Sequence, residues 1–363
     1  DGEGTYTSGS SYNGGMDVKY GISDAFTLDA TLVPDFGQVQ SDNLVLNLGP
    51  FEVQFQENRQ FFTEGTELFS KGNLFYSRRV GGRPMLLENV VNSLDSTEEL
   101  GAYNSATQLI NATKISGRNK RGLGIGVFNA VTQAEYATVR NSLTNEERRE
   151  LISPLTNYNI VVLDQNLKNN SYITLINTNV ARAGSTYDAN VTGTTFNIRD
   201  KSNLIEVSGG ATYNKKFNFG DPETDDGFAY DISVNKIKGN LNGGVGHSVE
   251  SRYFDKNDLG FLFNPNELST YVWGSYNIYE PFGRFNGFWC NVNLWHGMLY
   301  EPRAFTEMSL NFNAGINTKK FNTFGIEAYG TPVNEKDYFG PRVDGYHFEE
   351  PKKGNFSVWY SSD

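Results

Sequence analysis

Charged side chains crowd one part of this chain: Asp35, Asp42, Glu57, Arg59, Glu64, Glu67, Arg78 and Arg79 all fall within residues 35–79. Carboxylates interleaved with arginines support two kinds of chemistry. Guanidinium and carboxylate groups form charge-assisted, often bidentate pairs, which would pin an inserted segment against a wall. The same groups facing a water-filled passage would line a constriction or a ligand site. A third use, a carboxylate pair for glycoside hydrolysis, would fall to Glu57 with Glu64, but their spacing is not specific to it.

Other reactive residue types are sparse. His247, His296 and His347 are far apart and show neither HxxxH nor HxxE spacing, so they suggest neither a zinc site nor a catalytic triad. Cys290 is the single cysteine, which rules out an internal disulfide and a CxxC metal pair. It shares a strand face with Phe288 and Val292 and is expected to be a small apolar filler. Asp221, Glu223, Asp225 and Asp226 are weak calcium candidates. An EF-hand loop needs glycine at its sixth position and a carboxylate at its twelfth; here those positions hold Asp226 and Ile232, so a solvated acidic loop is the default. Neither a cofactor nor covalent chemistry is expected. A net charge of −11 without basic clusters argues against nucleic acid as a partner.

The elements that must position these residues are strands. In residues 16–22 Met16, Val18, Tyr20 and Ile22 alternate with Asp17, Lys19 and Gly21. After a turn, Phe26, Leu28, Ala30 and Leu32 alternate with Thr27, Asp29 and Thr31. A period of two places one set on each face. The pattern recurs near 106–117 and 122–132, where Gly124 and Gly126 lie opposite Leu123, Ile125 and Val127. Further strands are expected near 157–167, 170–182, 190–199, 203–214, 228–238 and 241–252. More follow around 272–278 and 288–294, and at 307–316, 321–330 and 355–362. Residues 82–104 read as a polar loop. Thr144-Asn145-Glu146-Glu147 has the form of a capping box, which predicts a short helix.

No run approaches the ~18–20 apolar residues that a membrane helix requires, whereas a spanning strand needs only ~9–11 with one apolar face. Roughly 14 strands in meander order, with tight turns alternating with longer loops, predict an all-β, antiparallel transmembrane barrel. Alternation alone would equally fit a soluble sandwich with its apolar face buried. Tyr271, Trp273, Tyr279, Phe282, Phe285, Trp295, Tyr300, Trp359 and Tyr360 sit near strand ends and are expected to form interfacial girdles. Residues 34–80 alternate poorly and read as an inserted plug or constriction within a single domain spanning 1–363. The Gly/Ser-rich start at Asp1 and the end on a strand suggest a fragment of a longer protein.

Three runs carry a resemblance: Pro34-Asp35-Phe36-Gly37-Gln38-Val39, Arg59-Gln60-Phe61-Phe62-Thr63-Glu64-Gly65, and Leu74-Phe75-Tyr76-Ser77-Arg78-Arg79-Val80-Gly81. They resemble a Bacteroidota family of outer-membrane β-barrel proteins of unknown function. Ala112–Arg118, Gly124–Thr132 and Asn257–Leu262 fit the same family in the same order. Full-length members usually place a domain similar to a family-9 carbohydrate-binding module before the barrel, and this chain lacks it. The resemblance implies an outer-membrane location in a Gram-negative bacterium, with lipid as one partner and a glycan or another envelope protein as further candidates. The expected function is binding or transport of a solute, glycan or protein without catalysis. The alternatives are a glycan-binding or glycan-processing protein acting through the missing domain, and a structural subunit of an outer-membrane complex.

Overall fold

The structure, a computed structural model, describes residues 15–34, 45–49, 51–343 and 345–362. Asp35 and Asp42 lie outside these residues. The chain runs β1 (Met16–Ser23), β2 (Phe26–Leu32), α1 (Gln60–Thr63), α2 (Leu87–Ser93), β3 (Glu98–Leu100), β4 (Leu109–Arg118), β5 (Leu123–Thr132), β6 (Glu135–Asn141) and β7 (Glu147–Ser153). It continues with β8 (Thr156–Asn166), β9 (Tyr172–Arg182), β10 (Asp188–Arg199), β11 (Ile205–Phe217), β12 (Asp226–Lys236), β13 (Leu241–Glu250), β14 (Glu267–Ile278) and β15 (Phe285–Leu299). The last elements are β16 (Phe305–Thr318), β17 (Thr323–Thr331), β18 (Glu335–Asp337), β19 (Phe348–Glu350) and β20 (Lys353–Ser361).

One antiparallel sheet of 15 strands dominates, in the order β1-β2-β4-β5-β8-β9-β10-β11-β12-β13-β14-β15-β16-β17-β20. Strands β3-β6-β7 and β18-β19 form two small separate sheets. Among the described residues β1 and β20 are the edges of the large sheet and do not pair with each other. In an antiparallel meander with an odd number of strands the first and last run the same way. Closure of the expected barrel between these two edges would therefore be parallel unless a further strand intervened.

Register keeps one apolar side on one face. Val234, Val245, Val272, Leu294 and Leu310 stand directly opposite one another across β12 to β16. Tyr20, Leu28, Ile115, Val127 and Val161 do the same from β1 to β8. This outer face is exposed: Val234, Val245 and Val272 retain 45%, 46% and 45% of their surface. The inner face differs between the two halves of the sheet. On β4 to β10 it is an apolar core containing Phe128, Ile160, Val162, Ile176 and Val191. On β14 to β17 it carries Ser275, Asn291, Asn293, Asn311, Asn313 and Glu327.

Three expectations are corrected. Residues 144–150 form no helix. Asn141 Oδ1 accepts the Leu143 and Thr144 amides at 2.9 and 3.0 Å, closing a turn, and Glu147 then begins β7. Pairing with β6 lets Ile152 bury with Ala137 and Val139, a gain that a short isolated helix could not match. The loop expected at 82–104 contains α2, whose Leu87 and Val90 complete that same cluster. The tryptophans do not girdle the outer face. Trp273 stands opposite Asn293 and Trp295 opposite Tyr271 and Ser309 on the inner face, and Trp359 joins Trp289 there, with ring centroids 6.3 Å apart.

These inner rings lie flat over glycines on the neighbouring strand. Trp289 covers Gly315, Trp359 covers Gly325 and Tyr271 covers Gly246, each directly opposite in register. A Cβ at Gly315 would collide with the Trp289 ring, so Gly315→Ala is expected to cost roughly 1–3 kcal/mol. Gly274, with nothing within 4 Å of its Cβ direction, should accept alanine without loss. Denaturant unfolding of the two variants measures the difference.

Candidate functional site

Residues 51–86 lie on the inner face over β4, β5, β8, β9 and β10. They contain little regular structure beyond α1 and short 3-10 turns at Lys71–Asn73 and Ser77–Arg79. Phe62, Phe69 and Phe75 gather round Phe128 at centroid distances of 6.1, 6.2 and 5.3 Å. Glycines make the room. Side chains of Leu68 and Leu74 sit 2.9 Å from where a Cβ would stand at Gly124 and Gly193. The alternation of glycine with apolar residues on β5 thus marks a docking face.

Such an irregular segment leaves its carbonyls without ladder partners, and each buried one needs a donor. Arg59 supplies two. Its Nη1 donates to Val80 O at 2.8 Å and its Nη2 to Ser77 O at 2.8 Å. Glu57 neutralises the guanidinium, accepting from Nε at 2.9 Å and Nη2 at 2.7 Å, and it also accepts from Ser77 Oγ at 2.6 Å. Burial pushes the Glu57 carboxyl up, but the hydrogen bonds and charge of Arg59, with Ser77, hold it below the usual carboxylate range. Arg78 donates to Gln56 O at 3.0 Å from Nε.

Arg79 ties the insertion to the far side of the sheet. It forms a bidentate pair with Glu52 at 2.9 and 2.8 Å. It also donates to Gly260 O at 3.1 Å and Asn257 Oδ1 at 3.3 Å in the β13–β14 loop. Tyr76 N donates to Leu259 O at 2.7 Å. Two sequence runs almost two hundred residues apart are therefore one contact. Beside it Arg182 and Asp258, both buried, pair at 2.5 Å.

Glu64 and Glu67 face other partners. Glu64 accepts from Lys19 at 2.8 Å, which with Gln60 lowers its pKa. Glu67 meets Arg118 at 3.3 Å, and Arg118 in turn pairs at 2.5 Å with Asp164, a fully buried carboxylate that also accepts from Thr174 Oγ1. Glu57 and Glu64 bind separate cations and flank no shared cleft. Lys114, Asp164, Arg182 and Asp258 are participants that local spacing missed. Lys114, buried on an inward position of β4, donates to Phe61 O and, at 2.5 Å, to Glu64 O. A charge at an inward position of a strand was the available signal.

A cavity of about 690 Å³ remains beside this network, lined by Glu52, Arg59, Tyr76, Arg78, Arg79 and Arg83 among others. Most of these guanidiniums are committed to carbonyls and carboxylates, so the arrangement is chemically a lock. The acidic loop is dispersed: Asp225 pairs with Lys215 at 2.5 Å, Asp226 accepts from Tyr213 Oη at 2.6 Å, and Asp221 caps the Glu223 amide at 3.0 Å. Among the described residues no cluster of three or more His, Cys, Asp or Glu side chains could hold a metal ion.

Compared with known proteins, residues 3–363 match a family described as a domain of unknown function (DUF5916). No curated protein is significantly similar to the chain. Among solved structures, the crystal structure of Acinetobacter baumannii OccAB2 covers 95% of this chain and 91% of its own, at 10% identity and a TM-score of 0.35.

Removing the Glu57 carboxylate breaks its buried ion pair with Arg59, and Glu57→Ala is expected to destabilise docking of the insertion by about 3–5 kcal/mol. Because the folded pKa of Glu57 is depressed, its contribution is complete above the unfolded value and is lost as pH falls through the folded one. Hydrogen exchange of residues 51–86 should therefore accelerate on acidification in the parent, and the variant should lose that pH dependence.

Proposed function

The chain belongs to the DUF5916 family of domains of unknown function, and from that premise we propose that it is a β-barrel-type protein of a Gram-negative outer membrane. It binds or passes a solute, glycan or protein partner without covalent chemistry, and residues 51–86 act as a plug over the inner faces of β4, β5, β8, β9 and β10. One observation carries the reading: rows of apolar side chains that stay exposed on one face of the sheet, broken on β5 to β10 by an asparagine group that includes Asn129, Asn159 and Asn177. Exposed apolar patches on soluble monomers rarely exceed a few hundred Å². Here Ile173, Leu175, Ile232, Val245, Val272, Val292, Ile326 and Val358 are all exposed on that one side. Hydrocarbon is the environment that covers such a face while leaving backbone groups to be satisfied between strands. No described helix is long and apolar enough to cross a membrane, so strands would do the crossing.

The plug reading rests on the Arg59, Arg79 and Lys114 contacts, which fix an irregular segment where a passage would otherwise run. Two measurements test the proposal. In lipid vesicles Val272→Arg on the outer face should destabilise the protein by about 2–4 kcal/mol if it lies near the bilayer midplane, and Ser275→Arg on the inner face should cost far less. In planar bilayers the full-length parent should conduct poorly, and Glu57→Ala should open larger conductance steps. A protein that stays monomeric in buffer without detergent would overturn the membrane assignment.

A further inference from the structure

All four tryptophans of the chain, Trp273, Trp289, Trp295 and Trp359, stand on the inner face of β14, β15 and β20. That is the polar side of the sheet, and no residue of β14 to β20 belongs to the core formed by the insertion. Trp273, Trp289 and Trp359 are half-buried against neighbouring strands and Trp295 is exposed, so each indole keeps accessible apolar surface on a polar face, which calls for an explanation. Trp295 and Tyr329 keep 38% and 44% of their surface.

Their arrangement is specific. Tyr271 and Trp295 stack at 6.4 Å with planes 10° apart, and Trp289 lies 6.3 Å from Trp359. Tyr271, Trp289 and Trp359 lie over Gly246, Gly315 and Gly325 of the neighbouring strands, and Trp295 is tied to β16 through Nε1 donating to Glu307 Oε1 at 2.5 Å. Trp289 and Trp295 are six residues apart on β15, roughly 20 Å at ~3.4 Å per residue. Between them lies a field of amides. Asn291 Nδ2 donates to Asn313 Oδ1 at 2.8 Å, Asn293 Nδ2 to Asn311 Oδ1 at 3.1 Å, and Asn313 Nδ2 to Asn311 Oδ1 at 3.2 Å. Among the described residues the Oδ1 atoms of Asn291 and Asn293 accept nothing, and each of these amides retains a further N–H. Carboxylates predominate among the ionic groups beside them: Glu327 on β17, and Glu307 together with Glu267, Glu335, Asp337 and Glu350 around one pocket that Lys336 also lines, while Lys353 is paired with Glu350 and Glu335.

We propose that this wall is a binding track for a neutral oligosaccharide. Flat π faces at each end match the C–H faces of pyranose rings, the amides between them match hydroxyls as both donors and acceptors, and the carboxylates accept from vicinal diols while repelling anions. The site lies on strands the insertion does not cover, and it requires neither conduction nor a plug.

Because every tryptophan lies on the wall, intrinsic fluorescence reads the site directly. Full-chain protein in detergent micelles is titrated with maltohexaose, cellohexaose, xylohexaose and mannohexaose, with hexagalacturonate as the acidic counterpart. At least one neutral sugar should shift the emission and shield the indoles from acrylamide. Trp295→Leu and Trp289→Leu should each weaken binding roughly ten-fold, and the corresponding Phe variants should recover most of it. Glu57→Ala, which touches only the insertion, should leave it unchanged. Silence with all four neutral sugars, a response to hexagalacturonate alone, or undiminished binding by the Leu variants would overturn the proposal. A protein that binds sugar yet never conducts keeps this site and loses the transport reading.

Discussion

The large sheet depends on register. In a pleated strand a slip by one residue moves every side chain to the opposite face, so the division into an exposed apolar side and a packed or polar side holds only while each neighbouring pair keeps its alignment. The irregularities in register fall at strand ends: Gly21/Ser23, Leu109/Asn111, Phe285/Gly287 and Gly297/Met298. The central rows are therefore uninterrupted, and Val234, Val245, Val272, Leu294 and Leu310 stay in line. Alignment is pinned from inside as well. Phe128, Ile160, Ile176 and Val191 must meet the insertion, and a slipped strand would offer it Asn129, Val161, Asn177 or Thr192 instead.

The insertion solves a different problem. It has almost no ladder of its own, yet its apolar side chains are buried, and several of its carbonyls are met by long cationic side chains. Arg59 reaches Val80 and Ser77, Lys114 reaches Phe61 and Glu64, and Arg78 reaches Gln56, while Arg79 reaches out to Gly260 of the β13–β14 loop. Burying those cations would be costly without counter-charges, which Glu57, Asp29 and Glu52 provide. The acidic and basic residues crowded into this part of the sequence are thus two halves of one accounting: cations for the carbonyls, carboxylates for the cations. Replacing the set by apolar residues could preserve packing but would leave the carbonyls unmet.

Strand positions were legible because each strand carries its own alternation, and pairs such as 106–117 with 122–132 needed only a turn between them. What was not legible depended on partners distant in sequence. β7 looks like a capped helix until β6 supplies an edge for it. The link from Arg79 to Asn257 and Gly260 joins separate runs that no local spacing could connect. Lys114 and Asp164 read as ordinary polar residues, because their burial is created by the insertion and not by their own strands. The tryptophans were misplaced for a related reason. Proximity to a strand end suggested an interface, whereas parity of position along β14, β15 and β20 decides the face.

That parity separates two surfaces of one wall by composition alone. Where the inner face offers Gly124, Gly126 and Gly193, leucines of the insertion fit closely. Where it offers Asn291, Asn293, Asn311 and Asn313, docking an apolar segment would strip water from amides that pair only with one another. The insertion therefore stops where the asparagines begin, and the glycines beyond that line are filled by Trp289, Trp359 and Tyr271 from the sheet itself. One half of the inner face is built to be covered. The other supplies its own aromatic surface and leaves amide donors and acceptors unspent, the composition that the proposed hydroxylated guest would need.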